Sequence, residues 1–273
     1  MLDSMDVAAV QMNSAEDKRA NLADATRLVQ QAAADGAHLV VLPELFNCIG
    51  RFETVLNEAE PIPGPTSQAM GALAARLGIT LCAGSICQQS RVPDKGYNTS
   101  LLFGPDGQLL ARYRKIHLFD VDLPSRVTVC ESRFMLSGDE IVSTETSLAH
   151  LGQATCYDLR FPELFRALSE RGAELVLIPA AFTHVTGRDH WEVLLRARAI
   201  ENQVFVIAPN QCGRHAPGLV SYGRSAIIDP WGRLLAVADE ETPQVIFARL
   251  ERALLLEVRR DLPALSHRRR LGA

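Results

Sequence analysis

The sequence contains no long run of apolar residues. Its apolar stretches fall well short of the roughly 18 residues that a helix needs to span a bilayer, so we predict no membrane-spanning segment. Residues 1–10 also lack the basic segment followed by a longer apolar one that is typical of secretory signal peptides. We therefore expect a cytoplasmic protein without a membrane partner.

An excess of one charge sign is also absent. The chain holds 28 Lys and Arg against 32 Asp and Glu, a formal net charge of −4, with the two signs interspersed. The one basic cluster, residues 267–270, lies at the extreme C-terminus, where it is better explained as a solvated tail or a carboxylate clamp than as a nucleic-acid arm. The composition thus predicts no nucleic-acid partner.

The cysteines form no C-x-x-C pair. This absence argues against a zinc ribbon and against a dithiol redox site, and we predict neither a metal nor another cofactor. Scattered thiols of this kind are typical of a reducing compartment. The six cysteines are Cys48, Cys82, Cys87, Cys130, Cys156 and Cys212.

Short apolar runs alternate with helical patterns along the chain. Its 273 residues, 47% of them hydrophobic, can bury either one large core or two small ones. Helices are predicted from about residue 14 to 35, with Ser14 and Asp17 as a capping pair, and at 66–77, 189–202 and 250–260. Strands are predicted at 6–12, 39–42, 79–86, 99–103, 109–115, 175–178, 204–208, 225–229, 234–238 and 244–248. Residues 115–138 read as a long functional loop.

A faint internal repeat suggests how these elements are arranged. Residues 36–46 resemble residues 172–182, and 97–111 resemble 222–236. Two similar α/β halves would place two sheets face to face with helices outside, as an α-β-β-α sandwich. We therefore predict one domain over residues 1–273, with a C-terminal tail from about residue 251.

Three polar residues stand directly after apolar strands, where functional groups gather in α/β proteins. They are Glu44, Lys115 and Cys156, the last near a strand-to-helix turn. Each has an ordinary explanation when taken alone: a cap or surface turn for Glu44, a solvated side chain for Lys115, and a small buried hydrophobe for Cys156.

The segments around these residues carry a family resemblance. Residues 42–46 (LPELF), 113–117 (YRKIH) and 156–163 (CYDLRFPE) resemble the three signatures of the nitrilase superfamily of carbon–nitrogen hydrolases. The resemblance implies an α-β-β-α sandwich and a Glu–Lys–Cys triad. It makes Cys156 the nucleophile, Glu44 the general base and Lys115 the oxyanion donor. The backbone N–H of Tyr157 would be the second oxyanion donor, and Glu131 an additional carboxylate that positions Lys115 or the substrate.

The chemistry of this triad is coherent on its own terms. A free thiol is only a few per cent thiolate at neutral pH; a nearby ammonium favours the thiolate and a carboxylate can take the proton. Attack on an amide then releases ammonia and leaves a thioester. Glu44 would activate the water that hydrolyses it.

The second half of the chain narrows the resemblance to the amidase branch. Residues 181–182, 185–187 and 190–201 resemble this branch, and residues 211–215, 221–223 and 229–232 resemble those of its members that act on deaminated glutathione. Ala181, Phe182, Arg214 and His215 are the predicted substrate-binding residues. Arg188 and Asp189 depart from the Pro-Ala usual there, which affects the rim of the pocket. The alternatives within this class are an ω-amidase acting on 2-oxoglutaramate, another aliphatic amidase and an N-carbamoyl hydrolase.

The sequence leaves two other classes of protein open, and it also predicts an oligomer. A metalloenzyme would have to use His184, His190 and His215, which lack a recognised ligand spacing. A non-catalytic scaffold would be expected to lose one of the triad residues. The helix at 189–202 carries apolar residues around more of its circumference than one core face needs, which predicts a homodimer or higher homo-oligomer.

Overall fold

Two β-sheets packed face to face form the centre of the structure, a computed structural model that describes residues 1–124, 127–216 and 218–269. The helices are α1 (Lys18–Ala34), α2 (Phe52–Asn57), α3 (Pro65–Leu77), α4 (Pro162–Glu170), α5 (His184–Asn202) and α6 (Arg252–Asp261). The strands are β1 (Ser4–Gln11), β2 (Leu39–Val41), β3 (Thr80–Gln89), β4 (Gly96–Phe103), β5 (Leu109–Arg114), β6 (Asp120–Leu123), β7 (Val127–Cys130), β8 (Met135–Leu136), β9 (Ser143–Glu145), β10 (His150–Gln153), β11 (Leu175–Leu177), β12 (Phe205–Ala208), β13 (Cys212–Ala216), β14 (Leu219–Tyr222), β15 (Ala226–Ile228), β16 (Leu234–Val237) and β17 (Gln244–Glu251). Short 3-10 helices span Glu131–Arg133 and Cys156–Arg160.

Each sheet has a parallel centre. The first has the strand order β17-β1-β2-β3-β4-β5, with β8 beside β4, and the second has the order β16-β15-β12-β11-β10-β9. Strands β1, β2 and β3 run parallel, as do β10, β11 and β12. Two hairpins, β6–β7 and β13–β14, stand apart from the sheets.

Strand periodicity divides the core into layers, because successive side chains of a strand point to opposite faces. Leu39 and Val41 pack between the two sheets, whereas Val40 packs beneath α1 and α3. In the second sheet Leu177 points to the same central layer, and Val176 packs beneath α4 and α5. The predicted four-layer α-β-β-α sandwich is therefore confirmed.

The helix starts correct the sequence prediction at two places. Asp17 alone caps α1, since its carboxylate accepts from the N–H of Ala20 at 3.0 Å, while Ser14 is buried and donates to the carbonyl of Phe46. Helix α5 begins at His184, five residues before the predicted start. Gly187 lies in the first turn of this helix, which passes close to Tyr222. A Cβ at position 187 would lie only 2.4 Å from the Cβ of Tyr222, so this approach requires glycine.

The predicted long loop contains more structure than expected. The described residues of 115–138 include the paired strands β6 and β7, a 3-10 turn and β8. Arg214 and His215 lie in β13, which pairs with β14. At the C-terminal end, β17 continues to Glu251 because it pairs with β1, so α6 begins only at Arg252. Leu255 of α6 is buried in the layer between the sheets. Arg270 of the predicted basic cluster lies outside the described residues.

Candidate active site

The ends of several strands surround one cavity of about 660 Å³. Four buried ionisable residues line it: Glu44 after β2, Lys115 after β5, Glu131 in a 3-10 turn and Cys156 after β10. Much of the remaining wall is apolar and includes Leu45, Ile49, Phe52, Val55, Phe119 and Leu219. The structure thus brings together all four predicted catalytic side chains.

The turn that carries Glu44 is held from several sides. Leu45 has a positive φ of 49°, an uncommon conformation for a branched side chain, and its N–H donates to Ser85 Oγ at 3.0 Å. The carbonyl of Glu44 accepts from Gln211 Nε2 at 3.0 Å, across the two halves of the chain. These contacts fix the direction in which the Glu44 carboxylate enters the cavity.

Lys115 lies between two carboxylates. Its Nζ is 3.0 Å from Glu44 Oε1 and 2.9 Å from Glu131 Oε2, and all three side chains are buried. Glu131 also accepts from the N–H of Phe119 at 2.7 Å. Burial works to lower the pKa of Lys115, but the charges of Glu131 and Glu44 outweigh it and raise this pKa well above its ordinary value. The ammonium is therefore permanent.

Cys156 occupies a sharp turn between β10 and α4. Its φ is +46°, in the left-handed region, and its N–H donates to the carbonyl of Pro179 at 2.9 Å. Strained positions of this kind persist only where the surrounding structure holds them. The turn presents the thiol to the cavity, as the strand-to-helix position in the sequence predicts.

Asp158 is the residue that braces this turn. Its fully buried carboxylate accepts from Tyr113 Oη at 2.6 Å and from the N–H of Thr155 at 2.8 Å. The backbone N–H of His117 also donates to it at 3.0 Å. Because Tyr113 and His117 flank Lys115, Asp158 ties the lysine segment to the cysteine turn.

The thiol of Cys156 is protonated at rest. Burial raises its pKa well above the ordinary value, and the negative charge of Glu44 raises it further, against a lowering effect of Lys115. The sequence interpretation stressed the lysine, which favours thiolate, but in the folded protein burial and the carboxylate prevail. A thiol whose pKa is raised in this way keeps its proton at neutral pH, and Glu44 is the carboxylate whose charge acts on it.

The N–H of Tyr157 lies in the first turn of the 3-10 helix that starts at Cys156. N–H groups in a first turn have no acceptor within their own helix. This placement suits the predicted role as an oxyanion donor, which stays a prediction. The ring of Tyr157 packs edge-on against Phe119 and Phe161.

The predicted substrate-binding residues take different places. Ala181 lines the cavity, and its N–H donates to Glu44 Oε2 at 2.8 Å. Phe182 is buried behind it against Trp191, and among the described residues it does not belong to the cavity wall. Arg214 is exposed and pairs in register with Val220, a wall residue.

His215 is removed from the cavity by its own contacts. Its Nδ1 lies 2.7 Å from the carbonyl of Ser14 and its Nε2 lies 2.9 Å from Ser221 Oγ. Burial lowers its pKa, so the ring is neutral. His215 therefore supports the β13–β14 hairpin, and the described cavity wall does not include it.

Sequence reasoning missed two polar residues around the site and considered His184 only as a metal ligand. Asn98 of β4 contacts both Glu44 and Glu131, and the exposed Arg51 and the partly buried His184 belong to the cavity wall. The signal for Asn98 was a polar residue just before a predicted strand, within a repeated segment. No sequence signal marked Arg51, which reaches the cavity through a tertiary ion pair with Glu16.

The described part of the chain offers no cluster of three or more His, Cys, Asp and Glu side chains placed to hold a metal. The three histidines of the metalloenzyme alternative have separate partners: Glu240 for His184, Arg160 for His190, and the serines above for His215. None of the described helices is long and apolar enough to cross a membrane.

Comparison with known proteins agrees with this geometry. The sequence profile of the carbon-nitrogen hydrolase family matches residues 6–260. The chain is 43% identical over 264 residues to a deaminated glutathione amidase of Synechocystis, covering 96% of this chain and 97% of that protein. It is 38% identical to the omega-amidase NIT2 of Mus musculus, covering 96% and 94%. The structure of Nit3 from Saccharomyces cerevisiae, a nitrilase-superfamily member, superposes with a TM-score of 0.89 at 34% identity, covering 98% of this chain and 97% of that chain. The chain therefore belongs to the carbon–nitrogen hydrolase family, and it is a hydrolase that acts on carbon–nitrogen bonds.

Proposed function

We propose that this chain hydrolyses a small carboxylate-bearing amide, deaminated glutathione, to 2-oxoglutarate and cysteinylglycine. The observation that carries the proposal is the cluster of Glu44, Lys115, Glu131 and Cys156 in one cavity. The similarity to deaminated glutathione amidases over nearly the full chain supports the choice of substrate.

Acylation begins at the buried thiol. Glu44 takes the proton of Cys156 as the sulfur bonds to the amide carbon, and the carbonyl electrons move to oxygen. Lys115 and the N–H of Tyr157 stabilise this oxyanion; one such donor typically contributes about 2.7–4 kcal/mol. When the C=O re-forms, the C–N bond breaks, the amine takes the proton from Glu44, and a thioester remains on Cys156.

Deacylation repeats the sequence with water. Glu44 takes a proton from water as the water oxygen bonds to the thioester carbon. Lys115 and the N–H of Tyr157 stabilise the second oxyanion. The C–S bond then breaks, the carboxylic acid is released, and the thiol regains its proton from Glu44. Glu131 fixes Lys115 through the 2.9 Å ion pair, so the ammonium stays aimed at the carbonyl oxygen through both steps.

The dimensions and charges of the cavity support a substrate larger than a simple aliphatic amide. Its volume of about 660 Å³ lies in the range of about 300–1,000 Å³ typical of small-molecule sites. The exposed cation Arg51 lines it, and the exposed Arg214 stands opposite the wall residue Val220. Deaminated glutathione carries a carboxylate at each end, and such cations suit carboxylates.

Arg214→Ala tests the substrate choice. If Arg214 binds the distal carboxylate, KM for deaminated glutathione should rise about tenfold or more with little change in kcat, the sign of lost uniform binding. Hydrolysis of 2-oxoglutaramate should be nearly unchanged, because that shorter substrate ends before the hairpin. Steady-state kinetics on both substrates provide the measurement, with Arg233→Ala, on the turn before β16, as the control.

Equal damage to both substrates would mean that Arg214 supports the pocket and does not select the ligand. A wild-type preference for 2-oxoglutaramate would instead favour ω-amidase, the second candidate, which the similarity to omega-amidase NIT2 supports. A panel that adds simple aliphatic amides, N-carbamoyl amino acids and nitriles separates the remaining alternatives.

We also propose that the chain forms a homodimer through α5. Trp191, Leu195 and Ala199 of this helix are buried in the core, but Val193 and Ile200 on another face are 67% and 46% exposed. Trp231, which is half exposed, lies close to this face, because its neighbour Gly232 contacts Ile200. A dimer would cover these apolar side chains.

Light scattering at micromolar concentration tests this proposal. The wild type is expected to have twice the mass of the chain, and Val193→Glu is expected to shift it toward the monomer. A wild-type monomer would rule the dimer out. Val92→Glu, at an exposed site in the β3–β4 connection, is the matched control.

We propose further that the chain is one catalytic domain that works in the cytoplasm. The pairing of β1 with β17 along their whole length, which joins the two ends of the chain, supports a single domain. All six cysteines are free in the structure, as expected in a reducing compartment.

A further inference from the structure

Asn98 connects three members of the catalytic cluster. It lies on β4 and is only 1% exposed. Its Nδ2 donates to Glu44 Oε1 at 2.7 Å and lies 3.3 Å from Glu131 Oε1. Its backbone carbonyl accepts from the N–H of Lys115 at 2.8 Å. One residue thus contacts both carboxylates and the backbone of the lysine between them.

The orientation of this amide follows from its neighbours. Ionised carboxylates only accept hydrogen bonds, so the nitrogen of Asn98, and not its oxygen, must face Glu44 and Glu131. Glu44 and Glu131 share the single ammonium of Lys115. An apolar side chain of the same size in place of Asn98 would remove one hydrogen-bond donor from both carboxylates.

Counting hydrogen bonds on Glu44 distinguishes its two oxygens, each of which has about two lone-pair sites. Oε1 accepts from Asn98 Nδ2 and from Lys115 Nζ, which fills it. Among the described residues, Oε2 accepts only from the N–H of Ala181, at 2.8 Å. Glu44 is also the carboxylate whose charge acts on the thiol of Cys156, and both side chains line the same cavity.

We propose that Asn98 is a positioning residue for proton transfer: with Lys115 it occupies Glu44 Oε1, so that Oε2 receives the proton of Cys156 and later of water. Its second role is to supply a hydrogen-bond donor to both Glu44 and Glu131, the two carboxylates that share the ammonium of Lys115. This inference deepens the proposed function and rests on it.

The expected pH dependence follows from the groups that face Glu44. These are Lys115 from the end of β5, Glu131 from its 3-10 turn and Cys156 from its own turn, while Arg51 and His184 lie farther out on the cavity wall. Two carboxylates that share one cation compete for ionisation, and a donor to the charged form favours it. Loss of the Asn98 side-chain donor should therefore raise the pH at which Glu44 and Glu131 together take up their first proton. Because the base must be ionised, the acid limb of kcat/KM should move to higher pH.

The test compares Asn98→Leu and Asn98→Asp with the wild type. The first removes the donor without adding charge, and the second keeps the shape but replaces the donor with a third carboxyl group. We expect Asn98→Leu to move the acid limb up by roughly one pH unit, so that kcat/KM falls by up to about tenfold at pH values on that limb and regains much of the loss at higher pH. Asn98→Asp should move the acid limb of kcat/KM to a still higher pH. Ser100→Ala, two residues along on the same face of β4, should leave the profile unchanged.

Infrared titration of the buried carboxyl groups supplies a readout that needs no substrate. The band of protonated carboxyl should appear at higher pH in Asn98→Leu than in the wild type, with circular dichroism confirming the fold. A folded Asn98→Leu with a wild-type carboxyl titration would overturn the inference, as would a kcat/KM lowered by one constant factor at every pH. Failure of the proposed function would give a different result: the wild type would hydrolyse neither deaminated glutathione nor any other amide of the substrate panel.

Discussion

Replacing Cys156 with alanine is expected to lower the rate of amide hydrolysis by at least about 10⁴-fold, because the covalent route through the thioester is lost. The fold should be retained, since alanine meets the same backbone preference at φ +46° and removes only a sulfur that faces the cavity. Assay of the purified variant together with circular dichroism provides the measurement. Cys130→Ala, at an exposed thiol on the neighbouring hairpin, should keep nearly full activity.

Substantial turnover in a folded Cys156→Ala would remove the nucleophile from the proposal. Loss of activity in Cys130→Ala to the same degree would point instead to a general requirement for intact thiols near the cavity. Cys156→Ser adds a stricter comparison, because it keeps a hydroxyl of similar size in the same turn and should still be inactive.

Replacing Glu44 with glutamine is expected to lower kcat by at least about 10³-fold while making Cys156 easier to alkylate. Glutamine can neither take the thiol proton nor activate water. The negative charge of Glu44 raises the pKa of Cys156, so its removal lowers that pKa and leaves Lys115 to stabilise the thiolate. The curve of alkylation rate against pH should therefore shift to lower pH in Glu44→Gln.

Site-resolved mass mapping of iodoacetamide labelling, in a Cys130→Ser background, follows Cys156 alone. The control is Glu257→Gln, at an exposed position on α6, which should change neither kcat nor the labelling curve. A labelling curve that moved to higher pH in Glu44→Gln would contradict the assigned electrostatics. Unchanged kcat would contradict the role of Glu44 as general base.

Prediction from the sequence succeeded where local pattern decides position. Glu44 follows β2 of the first sheet and Cys156 follows β10 of the second, and functional groups gather at such strand ends in α/β proteins. Residues 39–42 were likewise predicted as a strand from their apolar run, and β2 lies at 39–41 with buried side chains on both of its faces. These features depend on neighbours within a few residues.

Prediction fell short where long-range contacts decide the outcome. Asn98 and Asp158 gain their importance from hydrogen bonds to residues 33 or more positions away. The β13–β14 hairpin was not predicted, because a glycine such as Gly213 is typical of loops. In the structure Gly213 lies within β13 and has a positive φ of 69°. His215 was read as a ligand residue, but its partners, Ser14 and Ser221, are visible only after folding.

Intact-protein mass spectrometry during turnover of a slow amide tests the central claim most directly. The enzyme quenched in the steady state should carry the acyl part of the substrate on Cys156, a 2-oxoglutaryl group when the substrate is deaminated glutathione. Hydroxylamine should remove the adduct, and Cys156→Ala should never form it. Continued turnover with no adduct on the wild type under trapping conditions, or an adduct on another residue, would contradict a cysteine thioester mechanism.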